Sequence, residues 1–141
     1  QHTKHLSEVS NQSSVPWIIQ EKMNYPELRL FRVGKWFFAF TIESSTLDQR
    51  EDKNPVLIEI EPPENLLLPM KRLTETLGLD YSAADFKTCP DTGEYKFLEL
   101  NSMPMFPAFD DVAKGRISDA IVLHLQNIER NLHLSAGPNL G

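Results

Sequence analysis

Residues 79–102 read "LDYSAADFKTCPDTGEYKFLELNS". Two strand-like runs, "LDYSAADFK" and "YKFLEL", flank "TCPDTGE", a connection too short for anything but an antiparallel pairing. Asp91-Thr92-Gly93 supplies the turn chemistry. Side chains alternate along a strand, so Glu99 and Asn101 point to one face. Burying them without partners would cost about 2–7 kcal/mol for the neutral amide and more for the ion. Some other group must therefore compensate them. With the register set by the turn at Pro90–Glu94, Asp85 on the preceding strand can share that face.

Outward from this hairpin the pattern stays mixed. Upstream, Leu67, Met70, Leu73 and Leu77 recur at helical spacing from Glu64, behind Pro62-Pro63 and ahead of a stop at Gly78. "VLIEI" (56–60) reads as a strand, and "LRLFRV" and "WFFAFTI" as a hairpin bent at Gly34-Lys35. "VPWIIQEKM" (15–23) reads as a short strand, and residues 44–55 as a charged surface loop. Downstream of an irregular "NSMPMFPAFDD", Ile117, Ala120, Ile121, His124, Leu125 and Ile128 mark an amphipathic helix. Residues 1–14 read as a polar linker and 135–141 as a loose tail, leaving 15–134 as the folded unit. The expected fold class is α+β, a mostly antiparallel sheet with packed helices.

Bulk properties narrow the function classes. A chain of 141 residues with 40% hydrophobic side chains can bury one core. Against 14 basic side chains stand 20 acidic ones, a formal balance of −6 that disfavours nucleic acid or an anionic membrane as the main partner. No apolar run reaches the roughly 18–20 residues that span a bilayer. The single cysteine, Cys89, permits no disulfide framework within the chain and points to a reducing, cytoplasmic setting. His2, His5, His124 and His133 lack zinc-ligand spacing.

One Asp, one Glu and one Asn amide oxygen on a common spot make a hard, all-oxygen site. Magnesium prefers such a site, keeping some waters and completing its shell with substrate phosphates. The alternative is a surface hairpin whose polar face meets water, and spacing alone leaves both open. Arg29, by its pattern, reads as a solvated strand arginine paired with Glu27 or Glu21.

Beyond spacing, "GLDYSAADFKTCPDTGEYKFLELNSMP" resembles the C-terminal metal-binding region of ATP-grasp enzymes, in particular RimK-like and glutathione-synthetase-like carboxylate–amine ligases. "VPWIIQEKM" followed by "ELRLFRVGKWFFAF" resembles that superfamily's linker strand and the hairpin after it. The resemblance covers about Val15–Leu125. It implies magnesium ligands at Asp85, Glu99 and Asn101, and an adenine-edge contact at Gln20, Glu21, Lys22 and Met23. A ribose contact at Glu27 and a catalytic phosphate contact at Arg29 follow from the same resemblance.

The cofactors implied are ATP and Mg2+, and the partners small-molecule or peptide carboxylates and amines joined through an acyl phosphate. The superfamily's N-terminal half, with its phosphate-binding lysines and glycine-rich lid, has no counterpart in these residues. The chain is accordingly expected to be a C-terminal fragment that binds nucleotide weakly and catalyses nothing alone. A small-molecule kinase on the same scaffold, as in the inositol-phosphate kinases, and a non-catalytic binding module are the competing readings.

Overall fold

The computed structural model describes residues 24–43 and 55–135. Among them five strands and three helices run in the order β1 (Asn24–Val33), β2 (Trp36–Glu43), β3 (Val56–Ile60), α1 (Glu64–Thr76), β4 (Tyr81–Thr88), β5 (Tyr95–Asn101), α2 (Pro107–Val112) and α3 (Arg116–Ser135). The strands form one sheet in the order β3-β2-β1-β4-β5, every neighbour antiparallel. This is the α+β arrangement expected from the sequence. Residues 1–23, 44–54 and 136–141 lie outside the described set, and with them the polar linker, the "VPWIIQEKM" strand, most of the charged loop and nearly all of the tail.

Helices cover both faces of the sheet, which explains why central β1 is almost continuously buried from Glu27 to Val33, charged Glu27 and Arg32 included. Phe31, Val33, Phe38, Phe40 and Ala83 meet Phe109 of α2 and Ile117 and Ala120 of α3 on one face. Leu28, Leu30, Ala39, Ala84 and Phe86 meet Met70 of α1 on the other. Phe31, Phe40 and Phe109 form an aromatic knot with ring centroids 5.1 to 5.9 Å apart.

α1 buries a different stripe from the one its leucines suggest. Met70 and Thr74 face the sheet, with Leu66 packed beside them, whereas Leu73 and Leu77 are exposed. The reason lies across the interface in Arg32, 6% exposed, whose guanidinium donates to Thr74 Oγ1 at 2.6 Å and to the Leu79 carbonyl at 3.2 Å. A buried cation needs oxygen partners, so α1 turns Thr74 inward at the expense of a leucine. Pro69 sits inside α1 on its exposed side, where water can reach the carbonyl deprived of a donor.

The segment read as irregular contains α2, opened by Pro107 at a position where proline is tolerated. Asp110 of α2 then caps the next helix. Its Oδ1 accepts the backbone N–H of Ile117 at 2.9 Å and of Ser118 at 3.1 Å, and its Oδ2 accepts the Ser118 hydroxyl. Burial opposes its ionisation, but these hydrogen bonds outweigh burial and hold the carboxyl below the ordinary 3.8. A carboxylate with a depressed folded pKa contributes stability above its unfolded value, lost as pH falls through the folded one. Asp110→Ala is expected to cost about 1 kcal/mol near neutrality. In urea titrations the gap from the parent should shrink below pH 3.8; a pH-independent gap would argue against the cap.

Gly34 closes the β1–β2 turn at φ +54°, and a Cβ there would lie inside the contact radius of the His124 ring on α3. The half-buried His124 thus packs the helix directly onto the turn. Gly34→Ala should cost at least the ~1–2 kcal/mol of a left-handed L-residue. Pairing it with His124→Ala should return the steric part. A loss under about 0.5 kcal/mol in urea unfolding would contradict this packing.

Candidate functional site

β1, β4 and β5 place a row of charged side chains on the face shared with α2. Arg29 is the cross-strand partner of Asp85, and Asp85 of Glu99. Asn101 stands opposite Ala83, two residues along and therefore on the same face as Glu99.

The turn alone does not produce this alignment. From the turn, Thr88 pairs Tyr95 and Phe86 pairs Phe97, a register that, continued, would set Leu98 opposite Asp85 and turn Glu99 toward α1. A β-bulge between Asp85 and Phe86, with Leu98 as the extra residue on β5, shifts the pairing by one. Phe97 then stays against Phe86 at 5.8 Å between centroids, and Glu99 comes to Asp85. The expectation that the turn register suffices is thereby corrected, because a one-residue slip exchanges the faces of a strand.

The side chains differ in burial. Asp85 is 5% exposed, whereas Glu99 and Asn101 are exposed on the edge strand. Arg29 compensates Asp85 directly, its Nε donating to Oδ1 at 2.6 Å and a terminal nitrogen to Oδ2 at 2.8 Å. This two-pronged pair is the strong form of the carboxylate–guanidinium contact. Among the described residues its ion-pair partner is thus Asp85 and not Glu27, and Glu21 lies outside the described set. Burial works against the charge on Arg29, but the bonds to Asp85 and the fields of Asp85, Glu27 and Glu99 more than offset it and raise its pKa. Its guanidinium lies over the Phe109 ring, 5.2 Å from the centroid.

Glu27, also buried, accepts from Lys87, two residues beyond Asp85 on β4. Among the described residues, Asp85, Glu27 and Glu99 all act electrostatically on Arg29, and Lys87 engages Glu27. Asn101 Oδ1 accepts the Met103 N–H at 2.9 Å, which fixes the amide and leaves that oxygen a lone pair. Tyr81 donates to the Pro104 carbonyl at 2.8 Å and so pins the segment after Asn101. Burial pushes its phenol up to about 12, so the donor proton stays in place.

Gln20, Glu21, Lys22 and Met23 lie outside the described residues. Among the described residues no three His, Cys, Asp or Glu side chains gather in a ligand cluster. The candidate site instead joins two carboxylates with a carboxamide oxygen. That donor set suits a hard divalent cation with open positions for water and phosphate. Lys87 and Phe109 escaped the sequence reading. For Lys87 the period-two step from Asp85 was the available signal, whereas nothing local marks Phe109 as the lid over Arg29.

Neither a protein-family model nor a curated protein matches the sequence. Solved structures do, ATP-grasp ligases among them. An ATP-grasp ligase associated with ribosomally made peptides from Chryseobacterium gregarium, in complex with ADP and a leader and core peptide, is 30% identical with a TM-score of 0.63. The alignment covers 72% of this chain and 33% of that one. Macrocyclase MdnC from Microcystis aeruginosa MRC, bound with precursor peptide MdnA, is 30% identical with a TM-score of 0.59, over 72% of this chain and 33% of its own. The ATP-grasp ligase PsnB, with a minimal precursor variant, Mg and ADP, is 26% identical with a TM-score of 0.59, over 74% and 35%. The chain thus spans about a third of the length of the ligases it resembles. Among the described residues no helix is long and apolar enough to cross a membrane.

Proposed function

We propose that this chain is the nucleotide- and metal-binding portion of an ATP-dependent carboxylate–amine ligase of the ATP-grasp type, related to the RimK-like and glutathione-synthetase-like enzymes. The observation that carries the reading is the cross-strand row Arg29–Asp85–Glu99, with Asn101 next on the same face. Similarity to ligases whose structures hold ADP, Mg or precursor peptides supports it and favours peptide-type acceptors over inositol-like ones.

A bound magnesium ion would supply positive charge against the β,γ-phosphates of ATP during transfer to a carboxylate. Asp85, Glu99 and the Asn101 carboxamide would hold it. Arg29 would present its planar donors to the transferring phosphoryl group, which leaves ADP behind, and to the resulting acyl phosphate, from which an attacking amine would expel inorganic phosphate to give the amide. Lys87 holds Glu27 against β4, so any ribose contact by Glu27 uses the oxygen that Lys87 leaves. Gln20–Met23 would provide the adenine edge. A reducing, cytoplasmic setting agrees with Cys89 as the single cysteine. Calorimetric titration with AMPPNP should show binding that requires Mg2+ and vanishes in EDTA. Absence of binding at saturating Mg2+, or equal binding with EDTA, would overturn the reading.

A further inference from the structure

Both oxygens of Asp85 already accept hydrogen bonds from Arg29, so a cation approaching this carboxylate meets another cation first. Magnesium and a guanidinium on the same carboxylate repel each other at short range, the more strongly where burial weakens screening. Asp85 is 5% exposed, so that repulsion is poorly screened. A phosphate changes the balance, because it offers Arg29 a second set of planar acceptors while bridging to the metal. The guanidinium lies over the Phe109 ring, a face along which it can swing without losing its contact. Lys87 of β4, the second described cation beside Arg29, is engaged by Glu27.

We propose that Arg29 is a latch on the metal site, occupying Asp85 until a phosphate-bearing ligand draws it away, so that divalent cation and nucleotide enter together. The inference rests on the ligase reading above and adds an order of events to it. The cation alone binds poorly although its ligands are aligned. The cation with a di- or triphosphate binds well, because one swing of Arg29 uncovers Asp85 and engages phosphate. Arg29 thereby couples two affinities that its removal shifts in opposite directions.

The test measures Mn2+ binding by water-proton relaxation, with and without ADP, for the parent chain, Arg29→Gln and Arg29→Lys, with circular dichroism to confirm folding. Arg29→Gln should bind Mn2+ alone at least tenfold more tightly than the parent and Mn2+ with ADP at least tenfold more weakly. Arg29→Lys keeps a charge on Asp85 but loses the fork, so it should tighten Mn2+ binding alone about threefold; should the glutamine variant fail to fold, this variant carries the test. Unchanged or weaker binding of Mn2+ alone in the folded variants, with the parent still binding Mn2+ and ADP, overturns the latch and leaves the ligase reading standing. No Mn2+ binding by any protein, with or without ADP, overturns both.

Discussion

Arg29→Met is expected to destabilise the fold by about 3 kcal/mol, because it leaves the Asp85 carboxylate buried without its partner. Removing one member of a buried ion pair costs roughly 3–5 kcal/mol, and the partial exposure of Arg29 puts this case at the low end. Arg29→Met combined with Asp85→Leu should recover most of the loss, since two apolar side chains beside Phe31, Phe40 and Phe109 need no compensation. Urea unfolding of the three variants measures this. Additive losses in the double variant would show that the pair does not neutralise itself as its geometry indicates. The double variant should also fail to bind Mg2+ with nucleotide, separating the pair's structural part from its chemical one.

Glu99→Gln gives the opposite profile. Glu99 is exposed on the edge strand, so stability should change by no more than about 0.5 kcal/mol. Removing its charge should nevertheless weaken Mg2+-dependent nucleotide binding by at least the roughly 10–100-fold that changes outside a metal's own ligands already cause. Calorimetry with AMPPNP and Mg2+ reads the second effect, and thermal unfolding the first. Undiminished binding would remove Glu99 from the ligand set, and a large loss of stability would mean that it holds up the fold.

Much of this fold is legible in local pattern. The hairpin bent at Gly34-Lys35, the "VLIEI" strand and the two strands around "TCPDTGE" each announce themselves by period and turn chemistry, and the structure has all of them. Less legible are features decided by contacts distant in sequence. Thr74 faces inward because Arg32 stands opposite, 42 residues away, and no window around α1 contains that fact. The α3 stripe holds at Ile117 and Ala120, yet Leu125 is exposed, because helical period marks a face without saying how far the sheet extends beneath it. α2 is six residues long, too short for a period to register.

The site shows the same division. Glu99 and Asn101 share a face by simple alternation, but their meeting with Asp85 depends on the bulge at Leu98, which no turn rule supplies. The apolar run suggests that Glu99 and Asn101 need a compensating partner, yet both are exposed; the carboxylate that burial leaves in need of one is Asp85, and Arg29, 56 residues before it, supplies it. Residue chemistry therefore suggests a kind of site, and the sheet register decides which side chains share a face.

The most direct measurement is paramagnetic line broadening in the 15N NMR spectrum on adding Mn2+ with ADP. The backbone amides of Asp85, Glu99 and Asn101 and the side-chain amide of Asn101 should broaden first and most. Sharp signals at these positions while others broaden, or no broadening anywhere, would contradict this.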